Sequence, residues 1–224
     1  VPQSRIGEPV VYLKAAERED QIIAAAVTVL SNVGVAAMTL RAVAAEAGVS
    51  LGTVQYIFPA KDQLLHAVIT RVIRDISDAL RPDLAPGKGV EHVLRQGVTG
   101  FWEKLVEDNV GLQIMQYELL AYAVRNGDHR LAHQQYDSYT SVVADFCEQA
   151  ARAAGERCAV GFDTLGRLAL AQVDGLILQY IARPDAHRAR RDLQRALDML
   201  VAYADPQPMA PHPTRRKPKN NTDD

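Results

Sequence analysis

Between Thr39 and Lys61 the chain sets hydroxyl, amide and cationic side chains among small and apolar ones. Thr39, Ser50, Tyr56 and Lys61 can donate hydrogen bonds to phosphate oxygens, and Arg41 adds a cation beside them. Leu51, Gly52, Thr53 and Gln55 suit base edges instead. A glutamine can pair with both N6 and N7 of adenine, while Leu51 and the Thr53 methyl can pack on thymine methyls. This is the chemistry of nucleic-acid recognition rather than of bond making.

Those residues need short, rigid elements to hold them. Thr39 caps a helix running to about Ala47, and Ser50 caps a second one ending near Ile57. Only Gly48-Val49-Ser50 joins the two, a bend that requires a left-handed backbone, which Gly48 adopts without a Cβ penalty. Val43, Ala44, Ala47, Val49, Val54 and Ile57 fall on the buried sides. The result is a helix-turn-helix, whose second helix enters the major groove by its N-terminal end. Before it, Ile22, Ile23, Ala26, Leu30 and Val33 share one face of a helix over 15–33, with Gly34 as its stop. After it, Lys61 opens an amphipathic helix to Leu80, closed by Arg81-Pro82. Thr39 and Lys61 thus stand at helix N-termini, where free amides also favour a phosphate.

Periodicity predicts further helices over 89–109, 111–124, 128–154, 162–182 and 185–203, so the chain reads as all-α, with about nine helices. The Pro- and Gly-rich PDLAPGKG is the best boundary or hinge. The division expected is a flexible arm over 1–14, a DNA-binding head over 15–60, a larger helical body over 61–204 and a disordered tail over 205–224. The basic RRKPK cluster in that tail is expected to be solvated.

The 224 residues are 48% hydrophobic and 23% charged, with a net charge of −2, so no broad basic surface announces a nucleic-acid partner and the claim rests on local placement. Cys147 and Cys158 are the only cysteines, too few for a disulfide framework or zinc site. A signal core and a membrane-length apolar run are not expected, which points to the cytoplasm and away from membranes.

Enzymatic chemistry finds little support. His129 and His133 are an i, i+4 pair beside Asp128 with metal-ligand spacing, but without an evident fourth ligand or general base. No Glu-x-x-His occurs. No metal, no cofactor and no catalytic activity are expected.

The run AGVSLGTVQYIFPAKDQLL resembles the signature of the TetR family of one-component bacterial regulators: a tight turn, a Gly-Thr pair, aromatic residues, and a lysine opening a long helix. The resemblance covers residues 15–65. It departs at Gln55 and Ile57, where a tyrosine and a histidine are usual, so base preference is not carried over. It implies an N-terminal three-helix DNA-binding domain followed by a larger ligand-binding and dimerisation domain. The implied function is a regulator, a repressor by preference, released from a palindromic double-stranded operator by a small-molecule inducer of unknown identity. A helical ligand-binding or adaptor protein that no longer binds DNA is the alternative. Among the middle helices the candidate pocket residues are Trp102, Met115, Glu118, Tyr122, Tyr139, Phe146 and Gln172. The resemblance also implies a homodimer formed by the last two helices, through Leu170, Asp174, Ile177, Ile181, Leu193, Leu197 and Leu200.

Overall fold

A computed structural model describes residues 9–80 and 85–209. Helix α1 (Pro9–Ala37) is interrupted at Gly34 by a positive φ of 76°, so the expected stop becomes a kink followed by one more turn. Helices α2 (Leu40–Glu46) and α3 (Leu51–Ile57) form the helix-turn-helix, with Gly48 at φ 65° between them. Helix α4 (Lys61–Leu80) leads away from this head. After a short 3-10 turn (Pro86–Lys88), α5 (Val90–Phe101) widens into a π-helical turn (Trp102–Glu107). Helices α6 (Val110–Arg125), α7 (His129–Ala154), α8 (Phe162–Ala182) and α9 (Ala186–Ala204) complete the body.

Two boundary expectations change. Residues 9–14 of the supposed arm belong to α1, while 1–8 lie outside the described residues. At the other end, β1 (Glu156–Arg157) and β2 (Gln207–Pro208) pair antiparallel, and Met209 N donates to Gly155 O at 2.7 Å. Backbone pairing therefore holds 205–209 despite their prolines; the basic cluster of the tail lies outside the described residues. A third correction concerns α1: Ala15–Ala37 is long and apolar enough to cross a membrane. Its Ile22, Ala26 and Leu30 are instead buried in the core of the head.

One apolar cluster runs from the head into the body. It joins Ile22, Leu30, Val43 and Val54 to Leu64, Val68 and Ile73 of α4, and these to Met115 and Leu119 of α6 and Leu131 of α7. Burying such large side chains contributes about 1.5–3 kcal/mol each. Helix α4 is thus the covalent link but not the only physical one between head and body. Helices α7 and α8 meet closely at Gly166, where an added Cβ would lie 2.7 Å from Thr140 O.

Candidate nucleic-acid interface and internal cavity

The two caps of the helix-turn-helix form as the sequence requires. Thr39 Oγ1 accepts from Ala42 N at 3.1 Å, and Ser50 Oγ accepts from Thr53 N at 3.0 Å while sharing a 2.8 Å hydrogen bond with Thr53 Oγ1. A cap uses a hydroxyl lone pair and leaves the Thr39 proton for a phosphate, while the Ser50 and Thr53 hydroxyls spend one proton on each other and keep the second. Thr39, Arg41, Ser50, Gly52, Gln55 and Tyr56 are exposed, Tyr56 by 87%. Thr53 is half-buried.

Two of the expected DNA contacts are engaged elsewhere. Leu51 packs against the core of the head, so its side chain is not wholly offered to a groove. Lys61 turns inward: its Nζ donates to Val35 O at 2.6 Å and Met38 O at 3.1 Å and lies 5.4 Å from the centre of the Tyr122 ring. Partial burial lowers its pKa. Lys61 ties the end of α1 to the start of α4 rather than reaching for phosphate.

The run Gly48-Val49-Ser50-Leu51-Gly52 also spells Gly-x-Ser-x-Gly, the pattern of a serine nucleophile on a strand-to-helix turn. Here helices flank it on both sides, and the Ser50 hydroxyl is bonded to Thr53. Likewise the His129 and His133 rings stand 6.4 Å apart, but Asp128 caps α7 through Leu131 N and bonds His66 Nε2 at 3.1 Å.

A cavity of about 110 Å³ opens in the body between α4, α5, α6, α7 and α8. Ile73 and Ile76 supply its α4 wall, and Val98 and Phe101 its α5 wall. Of the expected pocket residues, Tyr139 and Phe146 line it. The others do not. Trp102 is fully buried, donates to Glu107 Oε1 at 3.0 Å and packs edge-on against Tyr180. Met115 fills the core shared by head and body. Glu118 accepts from Val35 N at 2.8 Å, beside the Gly34 kink, where a Cβ would come within 2.5 Å of its Oε2. Tyr122 donates to Asp62 Oδ1 at 3.1 Å. Gln172 lies in a shallow groove between α8 and α9. Glu118 and Tyr122, one turn apart on α6, are seam residues between body and head.

Sequence reasoning misses two polar cavity residues, Gln113 and Gln116, and expects at the dimer interface a third, Asp174, that lines the cavity. Gln113 Nε2 donates to Leu105 O at 2.7 Å, Gln116 Nε2 to Gln113 Oε1 at 3.2 Å, and Tyr139 Oη to Gln116 Oε1. Leu170, Asp174 and Ile177 also line the cavity. Leu193, Leu197 and Leu200, with Ile177, are at most 2% exposed within one protomer, and Ile181 is partly buried against the same core. A helix stripe that serves the protomer's own core cannot also face a partner. The large apolar side chains these helices expose are Leu168, Leu178, Met199 and Tyr203.

A helix-turn-helix with a solvent-facing second helix, carried on a helical body with an internal cavity, is the build of a DNA-binding transcriptional regulator. The comparisons specify which kind. Residues 22–68 match the family model described as bacterial regulatory proteins, tetR family. The chain is 28% identical over 195 residues to the HTH-type nicotine-responsive transcriptional repressor HdnoR of Paenarthrobacter nicotinovorans, covering 86% of this chain and 97% of that one. It is 28% identical over 208 residues to the HTH-type transcriptional regulator BetI 2 of Chromohalobacter salexigens, covering 83% and 89%. Among solved structures, a TetR-family transcriptional regulator from Rhodococcus sp. superposes with a TM-score of 0.70 at 22% identity, over 84% of this chain and 99% of that one. The head over residues 22–68 is that of the tetR family, and the chain is a DNA-binding transcriptional regulator similar to TetR-type repressors over most of its length. Regulators of this family act as dimers.

Proposed function

We propose that the protein represses transcription in the cytoplasm as a homodimer on an inverted-repeat operator, and that a small ligand in the cavity releases it. Thr39, Arg41, Ser50 and Tyr56 hold phosphates, while Gln55 and Thr53 read bases beside the close backbone approach at Gly52. The dimer forms through the exposed face of α8 and α9 that carries Leu168, Leu178, Met199 and Tyr203. A twofold axis there sets two α3 helices one turn of DNA, or a multiple, apart.

The observation that carries this reading is the α4 wall of the cavity. Ile73 and Ile76 touch the space where a ligand sits, and the same helix begins at Lys61, which is bonded to the end of α1. A ligand that fits only one setting of α4 therefore shifts the spacing of the recognition helices by its differential affinity. The name of the relative HdnoR, a nicotine-responsive repressor, supports ligand control of this kind.

The test is selection of the purified protein on random duplex DNA at moderate salt, with the enriched duplex then used to screen small molecules for release. An inverted repeat and a releasing compound are expected. A folded dimer that enriches no sequence would move the reading to a binding protein without a DNA function.

A further inference from the structure

The cavity is largely apolar; its polar lining is Gln113 and Gln116 of α6, Tyr139 of α7 and, as the one charged group, Asp174 of α8. Tyr136 Oη donates to Asp174 Oδ2 at 3.0 Å, and Tyr117 Oη to Oδ1 at 3.3 Å. The groups acting on this carboxyl are those two phenols and its own burial, which raises its pKa while the hydrogen bonds lower it. Among the described residues no lysine, arginine or histidine pairs with it. A carboxylate held in an apolar wall with two neutral donors and no cation keeps part of its desolvation penalty unmatched.

The neighbouring polar groups sharpen the point. The hydroxyl protons of Tyr117, Tyr136 and Tyr139 are already spent on Asp174 and Gln116. Gln113 and Gln116 line the same cavity and each keeps one amide N–H beyond the hydrogen bond it donates, so the wall offers a ligand neutral donors and one charged acceptor, the Asp174 carboxylate. An anion would meet a carboxylate and no free cation, and a polyhydroxylated ligand would meet Ile73, Val98, Phe101 and Phe146. A cationic nitrogen is the group this wall lacks. The space of about 110 Å³ is of the order of that which holds a single aromatic ring.

We propose that the cavity takes a small organic ammonium, its charged N–H set against Asp174 and an apolar body of about one ring among α4, α5 and α7. This deepens the ligand-release reading and rests on it. Asp174 then has a specificity role, selecting amines over neutral and acidic molecules of equal shape.

The test uses three probes of matched size on the full-length dimer at pH 7 and fixed ionic strength: benzylamine, benzyl alcohol and benzoate, with affinities from ligand-observed NMR titration. Benzylamine is expected to bind about tenfold or more tighter than benzyl alcohol, since a hydrogen bond to a charged group is worth that much, with benzoate weakest. Asp174→Asn should level benzylamine with benzyl alcohol, and Asp174→Glu should keep the order. The ranking on the unaltered protein decides the matter even if a variant folds poorly. Equal binding of benzylamine and benzyl alcohol, or a preference that survives Asp174→Asn, overturns the amine inference and leaves a small-ligand cavity. Failure of all three probes to bind overturns the cavity as a ligand site as well.

Discussion

Gly52 sits in the first turn of α3 with ordinary helical backbone, since it is not among the glycines of positive φ. A Cβ placed there would meet only Ser50 Oγ, at 3.7 Å, an ordinary contact. The folded chain thus supplies no steric reason for glycine, and glycine within a helix costs about 0.5–1 kcal/mol relative to alanine. Gly52→Ala should therefore stabilise the free protein by up to about 1 kcal/mol, raising Tm by roughly 2–4 °C for a chain of this size. If the reason for glycine is a close approach of backbone to DNA, the same methyl becomes an overpacked atom in the complex. The cost is then about 1–3 kcal/mol, or roughly tenfold to a hundredfold in affinity. Thermal unfolding and fluorescence anisotropy on the selected duplex at one salt concentration measure the two effects. The reasoning requires opposite signs. A variant that is less stable, or one that binds DNA unchanged, would refute it.

Lys61→Met leaves the carbonyls of Val35 and Met38 without their ammonium donor and should cost about 1–3 kcal/mol in urea unfolding, whether or not DNA is present. Gly166→Ala drives a Cβ to 2.7 Å from Thr140 O and should destabilise by about 1–3 kcal/mol. Gly175→Ala, which meets nothing within 4 Å in the protomer, should fold normally yet weaken dimerisation in sedimentation at low concentration if the α8–α9 groove is the interface. Burial, then the charge and hydrogen bond of Asp174, raise the Tyr136 pKa from 10.0 to about 12. A folded-state value above the unfolded one gives stability that is complete below pH 10 and lost as pH rises toward 12. Urea midpoints across that window should fall less steeply in Tyr136→Phe than in the unaltered protein.

Much of the head was legible because its signals are local. Thr39 and Ser50 cap the helices they precede, and Gly48 stands where the backbone turns left-handed. Helix α4 spans Lys61–Leu80 and α8 spans Phe162–Ala182, as their apolar periods indicate. The cavity was harder to read, because crossing angles decide which face of a helix meets it and periodicity does not encode them. Trp102, a natural pocket candidate by type, is spent on the core through Tyr180 and Glu107. Asp174 did leave a signal: it is the one acid in the apolar run LALAQVDGLILQYIA. That signal marks an unusual environment without saying whether a partner helix or a ligand completes it. The inward turn of Lys61 is not legible, because a lysine at a helix N-terminus looks the same from sequence whether it faces DNA or its own chain.

The way head and body are joined limits how a ligand can act. The apolar cluster shared by α1, α4, α6 and α7 is too large to open, since each buried side chain within it is worth about 1.5–3 kcal/mol. The polar seam around it is different in kind. It consists of Glu118 on Val35 N, Tyr122 on Asp62, and His66 between Asp128 and Gln134. Each such contact is worth about 1 kcal/mol net. Coupling between ligand and DNA sites typically needs 1–3 kcal/mol, which two or three of these contacts can supply and the apolar cluster cannot release. Ile73 lies about 18 Å along α4 from Lys61, reckoned at 1.5 Å per residue. On the proposed ligand-release reading, a ligand pressing there would tilt α4 as a rigid rod. The head would then follow by exchanging seam hydrogen bonds while its core stays closed, because packed cores move between discrete arrangements rather than deform continuously.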